Sequence, residues 1–256
     1  MIFEIILIVI LLFGLCVLGY RGAIHEFQIL QREYEPDVNW SEPLSEHLPL
    51  VIRNLPRAQA GNWTLERTQT RTWPVRVKNE QKILRTSWDK WIKHPEHTLQ
   101  NGKELGVYAK LDKTVGNWMD IRRWFWLPPS FTSPQACILP DSQYVGITKT
   151  SAEATVLVAT DGNPLEIWIS HEGGIPAAFV EDLVGKNPWI QTTNEIPDIH
   201  EVKYIEILLR PNNALVIPSH WWYAIRSSET GTSWYWTAEF HSPVSFVATK
   251  LKGQKS

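Results

Sequence analysis

The chain has 256 residues, of which 43% are hydrophobic and 20% are charged, and its formal net charge is -2. This balance excludes a disordered chain and a protein with many membrane spans, and it argues against general electrostatic binding to nucleic acid. Two cysteines are too few for a disulfide framework or a multi-cysteine zinc module. The 14 tryptophans are unusual, and they favour a compact, aromatic-rich β protein.

An apolar run opens the sequence. Residues 2–19 are nearly all apolar, with Glu4 as the only charge, and the run is close to the ~20 residues that a membrane-spanning helix needs. A cleaved signal peptide would need a basic start and a small-x-small cleavage site, and a buried core helix would not be apolar on all sides. The sequence therefore predicts a transmembrane anchor over residues 1–21.

The residues after the anchor bear on its orientation. Arg21 and Arg32 follow the apolar run and no basic residue precedes it, so the positive-inside rule predicts a single-pass protein with a cytoplasmic body. The glycosylation acceptor patterns at Asn39 and Asn62 would require the opposite orientation. Residues 22–42 are predicted as a stalk or linker in which the helix continues as far as residue 35.

Short segments divided by Pro, Gly and Asn predict a mainly β body with a few short helices. The predicted strands are residues 49–53, 75–78, 155–160, 165–170, 204–209, 214–217, 223–226 and 233–240, and the predicted short helices are 87–93 and 177–184. Many short strands with few helices favour a closed or sandwiched β architecture. The tryptophan-rich strands at 221–223 and 234–236 are predicted to pair. The last residues, 250–256, are predicted as a basic tail.

One segment carries a resemblance to a known family. Residues 210–226 read RPNNALVIPSHWWYAIR and resemble the end of the sheet in cupin-like, JmjC-related hydroxylases, where an apolar strand leads into I-P-x-x-W-W-H-x-V. Weaker similarities follow in the family's order: PLVIRN at 49–54, IRRWFWLPPSF at 121–131, QYVGITKT at 143–150 and TVLVATDGNPLEIWISHEGG at 155–174. The resemblance covers residues 43–249 and implies one domain with the double-stranded β-helix fold, a barrel of two facing sheets.

The resemblance also implies a chemistry, and the corresponding residues of this chain depart from it. Active members hold Fe(II) with H-x-D and a distal His, and hold 2-oxoglutarate with a Lys. The distal His aligns with Tyr223 and the Lys with Pro164. The loop ITKTSAEA contains no His for the H-x-D motif; Glu153 is its only carboxylate, Ser151 lies two residues before it, and Thr155 replaces an Asn. The sequence therefore predicts that neither iron nor 2-oxoglutarate binds.

Three hypotheses for the function stay open. The first is a membrane-anchored, cupin-like protein without a cofactor that acts by binding or as a structural interface, with the candidate pocket residues Ser151, Glu153, Thr155, Trp221, Trp222, Tyr223 and Trp236. Its partners would be the membrane and a protein, or a second copy, on a tryptophan-rich surface. Its W-W-Y ending resembles versions found in large DNA viruses, which makes a virion or host membrane one location.

The second hypothesis is an active Fe(II)/2-oxoglutarate-dependent dioxygenase with displaced ligands, drawn from Glu153, His171 and His220. The third is a cupin that binds a carbohydrate or another small ligand at the barrel mouth. The absence of metal-binding residues at the aligned positions favours the first hypothesis over the second. A pocket volume and its lining are needed to separate the first from the third. Lys149 and Glu153 are also predicted to form an exposed ion pair near the mouth.

Overall fold

A computed structural model describes residues 28–38, 43, 46–79, 82–93, 95, 98–116, 118, 130–131, 134–141, 143–176, 179–189, 202–228 and 231–241, together with Ile6 and Ile8. The predicted anchor, apart from those two isoleucines, and the predicted basic tail lie outside the described residues. Among the described residues, no helix has the length and apolar character needed to cross a bilayer.

The described part is mostly β-strand with short helices. In chain order the strands are β1 (Leu30–Glu33), β2 (Leu50–Arg53), β3 (Pro74–Asn79), β4 (Lys82–Ser87), β5 (Thr98–Leu99), β6 (Ser130–Phe131), β7 (Gln135–Leu139), β8 (Tyr144–Lys149), β9 (Ala154–Gly162), β10 (Leu165–His171), β11 (Ile205–Leu209), β12 (Asn213–Pro218), β13 (Trp221–Ser227) and β14 (Ser233–His241). The α-helices are α1 (Arg57–Ala60), α2 (Leu65–Thr68), α3 (Trp88–Trp91), α4 (Gly102–Tyr108), α5 (Leu111–Gly116) and α6 (Val180–Leu183). A 3-10 turn spans Glu172–Gly174.

Two sheets contain all the strands from β7 to β14. The larger sheet has the order β1-β2-β12-β9-β14-β6, and β7 also pairs with β14. The smaller sheet has the order β11-β10-β13-β8. Successive strands from β7 to β14 therefore alternate between the two sheets, except β10 and β11, which are neighbours in the smaller one. A third sheet has the order β4-β3-β5.

The alternation of side chains along the strands explains how the two sheets pack. In β9, Leu157 and Ala159 lie in one apolar cluster with Leu165 and Ile167 of β10, so these residues face each other between the sheets. Val156 and its neighbours on the even positions point to the opposite face of the larger sheet. Because both faces of β9 are buried, its sequence is a nearly continuous apolar run rather than an alternation of apolar and polar residues.

Tryptophans cover the outer face of the larger sheet. Trp63 lies at the centre of this group, with its ring centroid 5.1 Å from that of Trp88 and 5.2 Å from that of Trp234. Trp236 is fully buried there, and its indole N–H donates to the carbonyl of Ala60 at 2.7 Å. None of the described tryptophans is exposed, so these residues pack the interior of the chain.

Two sequence predictions are corrected here. The predicted helical stalk is wrong at Leu30–Glu33, which forms β1 and pairs in parallel with β2 at the edge of the larger sheet. The predicted pairing of the two tryptophan-rich strands is also wrong, because β13 lies in the smaller sheet and β14 in the larger one. The connection between them crosses from one sheet to the other, and alternation within a strand carries no information about which sheet it joins.

Candidate functional site

A polar cavity opens between the two sheets. Its volume is about 180 Å³, and it is lined by Lys103, Gln135, Thr155, Tyr223, Thr237, Ala238 and Glu239. We call the end of the sandwich that holds this cavity the open end. Hydroxyl, amide, carboxylate and ammonium groups are all present in the lining, so the cavity offers both hydrogen-bond donors and acceptors to a small molecule.

The two sheets place these side chains by register. Thr155 at the start of β9 lies directly opposite Glu239 near the end of β14. Gln135 at the start of β7 lies opposite Thr237. Tyr223 enters from the smaller sheet, where it pairs with Ile169 of β10. Since β9 and β14 are antiparallel, the beginning of one and the end of the other meet at the same edge.

Helix α4 supplies the remaining side chain, Lys103. Two glycines, Gly102 and Gly106, lie four residues apart on one face of this helix. A Cβ atom added at Gly102 would lie 2.6 Å from the carbonyl of Ala136, and one added at Gly106 would lie 2.2 Å from the carbonyl of Pro134. The missing side chains therefore let α4 approach the backbone beside β7, and this approach positions Lys103 at the cavity.

The charged lining groups of the cavity are Lys103 and Glu239. No ion pair joins them, and Lys103 makes none with any other described residue. Glu239 has its Oε2 atom 3.5 Å from the Nε2 atom of the buried His241. The pKa of Tyr223 is raised above its usual value, mainly by burial and further by the nearby charge of Glu239 and by Cys137. The Tyr223 phenol therefore stays neutral at physiological pH.

Below the cavity the interior contains two more ionisable groups that stay neutral. Burial raises the pKa of the Cys137 thiol to about 12, although hydrogen bonds with Tyr235 and Thr237 act in the opposite direction. Burial also raises the pKa of Tyr235 well above its usual value, and Cys137 and Tyr223 contribute to the same shift. Among the described lining residues, Glu239 is the one that carries a carboxylate.

A second polar cluster lies at the ends of β8 and β10. Lys149 donates from its Nζ atom to Oε1 of Glu172 at 2.5 Å, and Nδ1 of His220 lies 3.4 Å from Oε2 of the same carboxylate. Partial burial alone would raise the pKa of Glu172, but the hydrogen bond and charge of Lys149, with His220 and His171, lower it below its usual value. Among the described residues, the partner of Lys149 is thus Glu172 rather than the predicted Glu153.

The sequence-predicted pocket residues have different locations. Tyr223 and Thr155 line the cavity. Trp221 belongs to the apolar cluster between the sheets, whereas Trp222 and Trp236 lie on the outer faces. Ser151 and Glu153 lie in the β8–β9 connection, where the Glu153 carbonyl accepts a hydrogen bond from the Ser219 N–H at 3.0 Å.

The position aligned with the cosubstrate lysine lies far from the cavity. Pro164 is in the β9–β10 turn, and its carbonyl accepts a hydrogen bond from the Ser228 N–H at 3.0 Å. Leu165, the next residue, pairs with Ser227, whereas Tyr223 pairs with Ile169. Four residues along a strand span roughly 13 Å. Pro164 is therefore at the opposite end of the sandwich from Tyr223.

The fallback metal ligands do not assemble into a site. His171 has its ring edge against Trp221, with centroids 5.1 Å apart, and accepts a hydrogen bond from the Gly173 N–H on its Nδ1 atom. His220 contacts Glu172, as described above. Among the described residues, no group of three or more His, Cys, Asp or Glu side chains is arranged to hold a metal ion.

Sequence reasoning missed five lining residues: Lys103, Gln135, Thr237, Ala238 and Glu239. Residues 233–240 alternate, so Thr237 and Glu239 lie on one face of the strand and the tryptophans on the other. This alternation is the sequence signal that could have identified Thr237 and Glu239 as residues of the inner face. Nothing in the sequence indicated which end of the sandwich stays open. Lys103 belongs to a helix outside both sheets and had no signal.

No family model matches the chain, and no curated protein matches it.

Proposed function

We propose that the chain is a cupin-like protein that binds a small polar ligand in the cavity at its open end and carries out no iron-dependent oxidation. Its eight strands from β7 to β14 are antiparallel and alternate between two facing sheets. This arrangement supports the double-stranded β-helix fold, because eight strands in two sheets are typical of the jelly rolls that include the cupins.

The residues of the open end do not fit Fe(II) and 2-oxoglutarate. Such a site needs two imidazoles and a carboxylate on one face of the metal. The position aligned with the distal His holds Tyr223, whose raised pKa keeps its oxygen protonated. The other cavity residues include one carboxylate, Glu239, and no imidazole. The active-hydroxylase hypothesis therefore finds no support in the cavity.

The cavity itself is the observation that favours ligand binding over a purely structural role. A protein cavity of about 150 Å³ accepts a molecule as large as benzene, and the volume here is about 180 Å³. Ligand sites place a few polar groups so that they fix the ligand's orientation. Lys103 and Glu239 offer opposite charges without pairing with each other, so we expect a ligand that has both a carboxylate and an amino group, as free amino acids do.

Attachment to a membrane through residues 1–21 belongs to the same proposal. It rests on the length and composition of the apolar run and on the absence of a cleavage site. The cytoplasmic placement of the body rests on Arg21 and Arg32. A virion or host membrane, and a protein partner or second copy, are proposed on the W-W-Y resemblance and the tryptophan content alone.

The test is thermal unfolding of the full chain in mild detergent with three sets of probes: free amino acids, monosaccharides and dicarboxylates. We expect at least one amino acid to raise the midpoint, since a ligand at 100 times its dissociation constant adds about 2.7 kcal/mol. The variants Lys103→Gln and Glu239→Gln should each reduce that rise, whereas Lys113→Gln on the exposed side of α5 should keep it. If no probe raises the midpoint, or if the rise survives both cavity substitutions, the proposal fails.

A further inference from the structure

The hairpin formed by β3 and β4 presents an unusual surface. Its register places Lys78 directly opposite Ile83 and Arg76 directly opposite Arg85. Because side chains alternate along a strand, these four residues share one face. The other face of β3 contributes Val75 and Val77 to the core. The hairpin is thus anchored on one side and presents cations and an isoleucine on the other.

The cations of this face are largely uncompensated. Like charges directly opposite each other destabilise an antiparallel pair, and Arg76 and Arg85 stand in this relation. Glu104 of α4 forms an ion pair with Arg76. Lys78 and Arg85 are exposed and form no ion pair with any described residue, and the exposed Lys82, which pairs with Asn79, lies on the other face. The sequence of residues 74–87 contains four basic residues and a single acid, Glu80, in a chain whose net charge is -2.

An apolar side chain projects beside these cations. Ile83 is 64% exposed, the highest value among the large hydrophobic residues of the described part. Leu84 pairs with Val77 and is 44% exposed on the other face. β4 is also the edge strand of its sheet. An exposed, apolar edge strand marks a site of interaction or a risk of aggregation, and basic residues on such an edge discourage pairing with another copy.

Charge selects among the possible partners. If two copies of β4 paired antiparallel about Leu84, Ile83 of each would lie opposite Arg85 of the other, and the cations of both hairpins would gather on the same surface. A second copy is therefore disfavoured. A surface with dense negative charge and an apolar layer beneath it would attract the cations and accept the projecting isoleucine. Amphipathic membrane-binding segments bind bilayers through the same two interactions.

We propose that the β3–β4 hairpin docks on the anionic surface of a lipid bilayer, with Lys78 and Arg85 at the headgroups and Ile83 inserted beside them. The inference is independent of the ligand cavity, and it does not require the apolar N-terminal run to span the membrane. Two cations near an anionic surface change the occupancy of that surface by on the order of 30-fold, and salt screens this attraction.

The test is hydrogen exchange of the full chain bound to lipid nanodiscs. One set of discs contains phosphatidylcholine alone, and the other contains 30% phosphatidylserine by design. We expect amide exchange in residues 82–87 to slow on the anionic discs relative to the neutral ones, and the difference to vanish at high salt. The variant K78Q/R85Q should lose the difference.

A matched control has the same loss of charge elsewhere. The variant K113Q/K186Q replaces two exposed cations outside the hairpin, and it should keep the slowed exchange. Ile83→Ser should reduce the slowing without changing its dependence on salt. Equal exchange on both kinds of disc would overturn the proposal. So would equal losses in the two double variants, or the same protection by polyglutamate without lipid, which would assign the hairpin to an acidic protein segment.

Discussion

The space between the two sheets has two halves that are built from the same strands and differ in chemistry. In β9, Leu157 and Ala159 are apolar and fully enclosed, and Thr155 lines the cavity two residues earlier. In β13, Ile225 is buried in the apolar cluster, whereas Tyr223 reaches the cavity. The apolar half holds the sheets together, and the polar half is therefore free to serve a ligand.

The largest difference between the halves should appear in the free energy of unfolding. Leu157 is fully buried, so Leu157→Ala should lower this free energy by about 2–5 kcal/mol through lost burial and a new cavity. Thr155→Ala, at the open end of the same strand and face, removes one methyl group and a hydroxyl that lines the cavity, and it should cost about 1 kcal/mol. Urea unfolding of both variants measures the two losses. Equal losses would show that the two halves do not differ in this way.

The rate of labelling by a thiol reagent should differ between two residues that are directly opposite each other in the sheet. Thr237 of β14 lines the cavity and lies opposite Leu157 of β9. In a chain with both natural cysteines replaced by serine, a charged methanethiosulfonate should label Thr237→Cys rapidly. Leu157→Cys should react only through local opening, and an opening that costs about 3 kcal/mol slows labelling on the order of 100-fold. Similar labelling rates would mean that the cavity is closed or the core is open.

Alkaline pH should lower the free energy of unfolding through Cys137, at the boundary between the halves. Burial raises the pKa of Cys137 to about 12, above the value of about 8.5 in an unfolded chain. The folded chain therefore keeps a proton that the unfolded chain loses, and stability is full below pH ~8.5 and falls as the pH rises. The slope is about 1.4 kcal/mol per pH unit for one such group.

Cys137→Ala should flatten this decline between about pH 8.5 and pH 10, before the tyrosines of the unfolded chain ionise. Urea unfolding at several pH values measures the slope for the wild type and for the variant. Cys16 is present in both proteins, so it does not contribute to the difference between them. An unchanged slope in the variant would show that the thiol is not held neutral.

The smallest loss of stability is expected for a substitution of Glu172, at the rim of the open end. Glu172 has a lowered pKa, so its contribution to stability is present above the unfolded value of about 4.3 and is lost as the pH falls through the lower folded value. Because its side chain is 52% exposed, Glu172→Gln should cost under ~1 kcal/mol at pH 7. The difference from wild type should disappear near pH 3, whereas Glu181→Gln, an exposed control on α6, should show none. A cost that persists at low pH would contradict the ion-pair explanation.

The strands could be predicted from the sequence because alternation and β-branched residues are local signals. The predicted segments 155–160, 165–170 and 233–240 fall within β9, β10 and β14. The choice of sheet could not be predicted, because it depends on where each connection crosses. This is why β13 and β14 were expected to pair.

The site was accessible to sequence reasoning only in part. Tyr223 and Thr155 were named because a motif resembled the end of a cupin-like sheet. Lys103 reaches the cavity through the close approach of α4 to β7, which depends on two glycines and a distant strand. Such a contact leaves no local pattern. The resemblance also placed Pro164 beside the pocket, and the register of β10 with β13 places it at the other end.

The most direct test of the central proposal is an anaerobic calorimetric titration of the full chain with Fe(II), and then with Mn(II), with and without 2-oxoglutarate. The neutral Tyr223 phenol and the single cavity carboxylate predict no saturable heat at millimolar metal and no effect of 2-oxoglutarate. Binding of one metal ion per chain, tightened by 2-oxoglutarate, would contradict the proposal. It would then direct attention to Glu153, His171 and His220 as ligands.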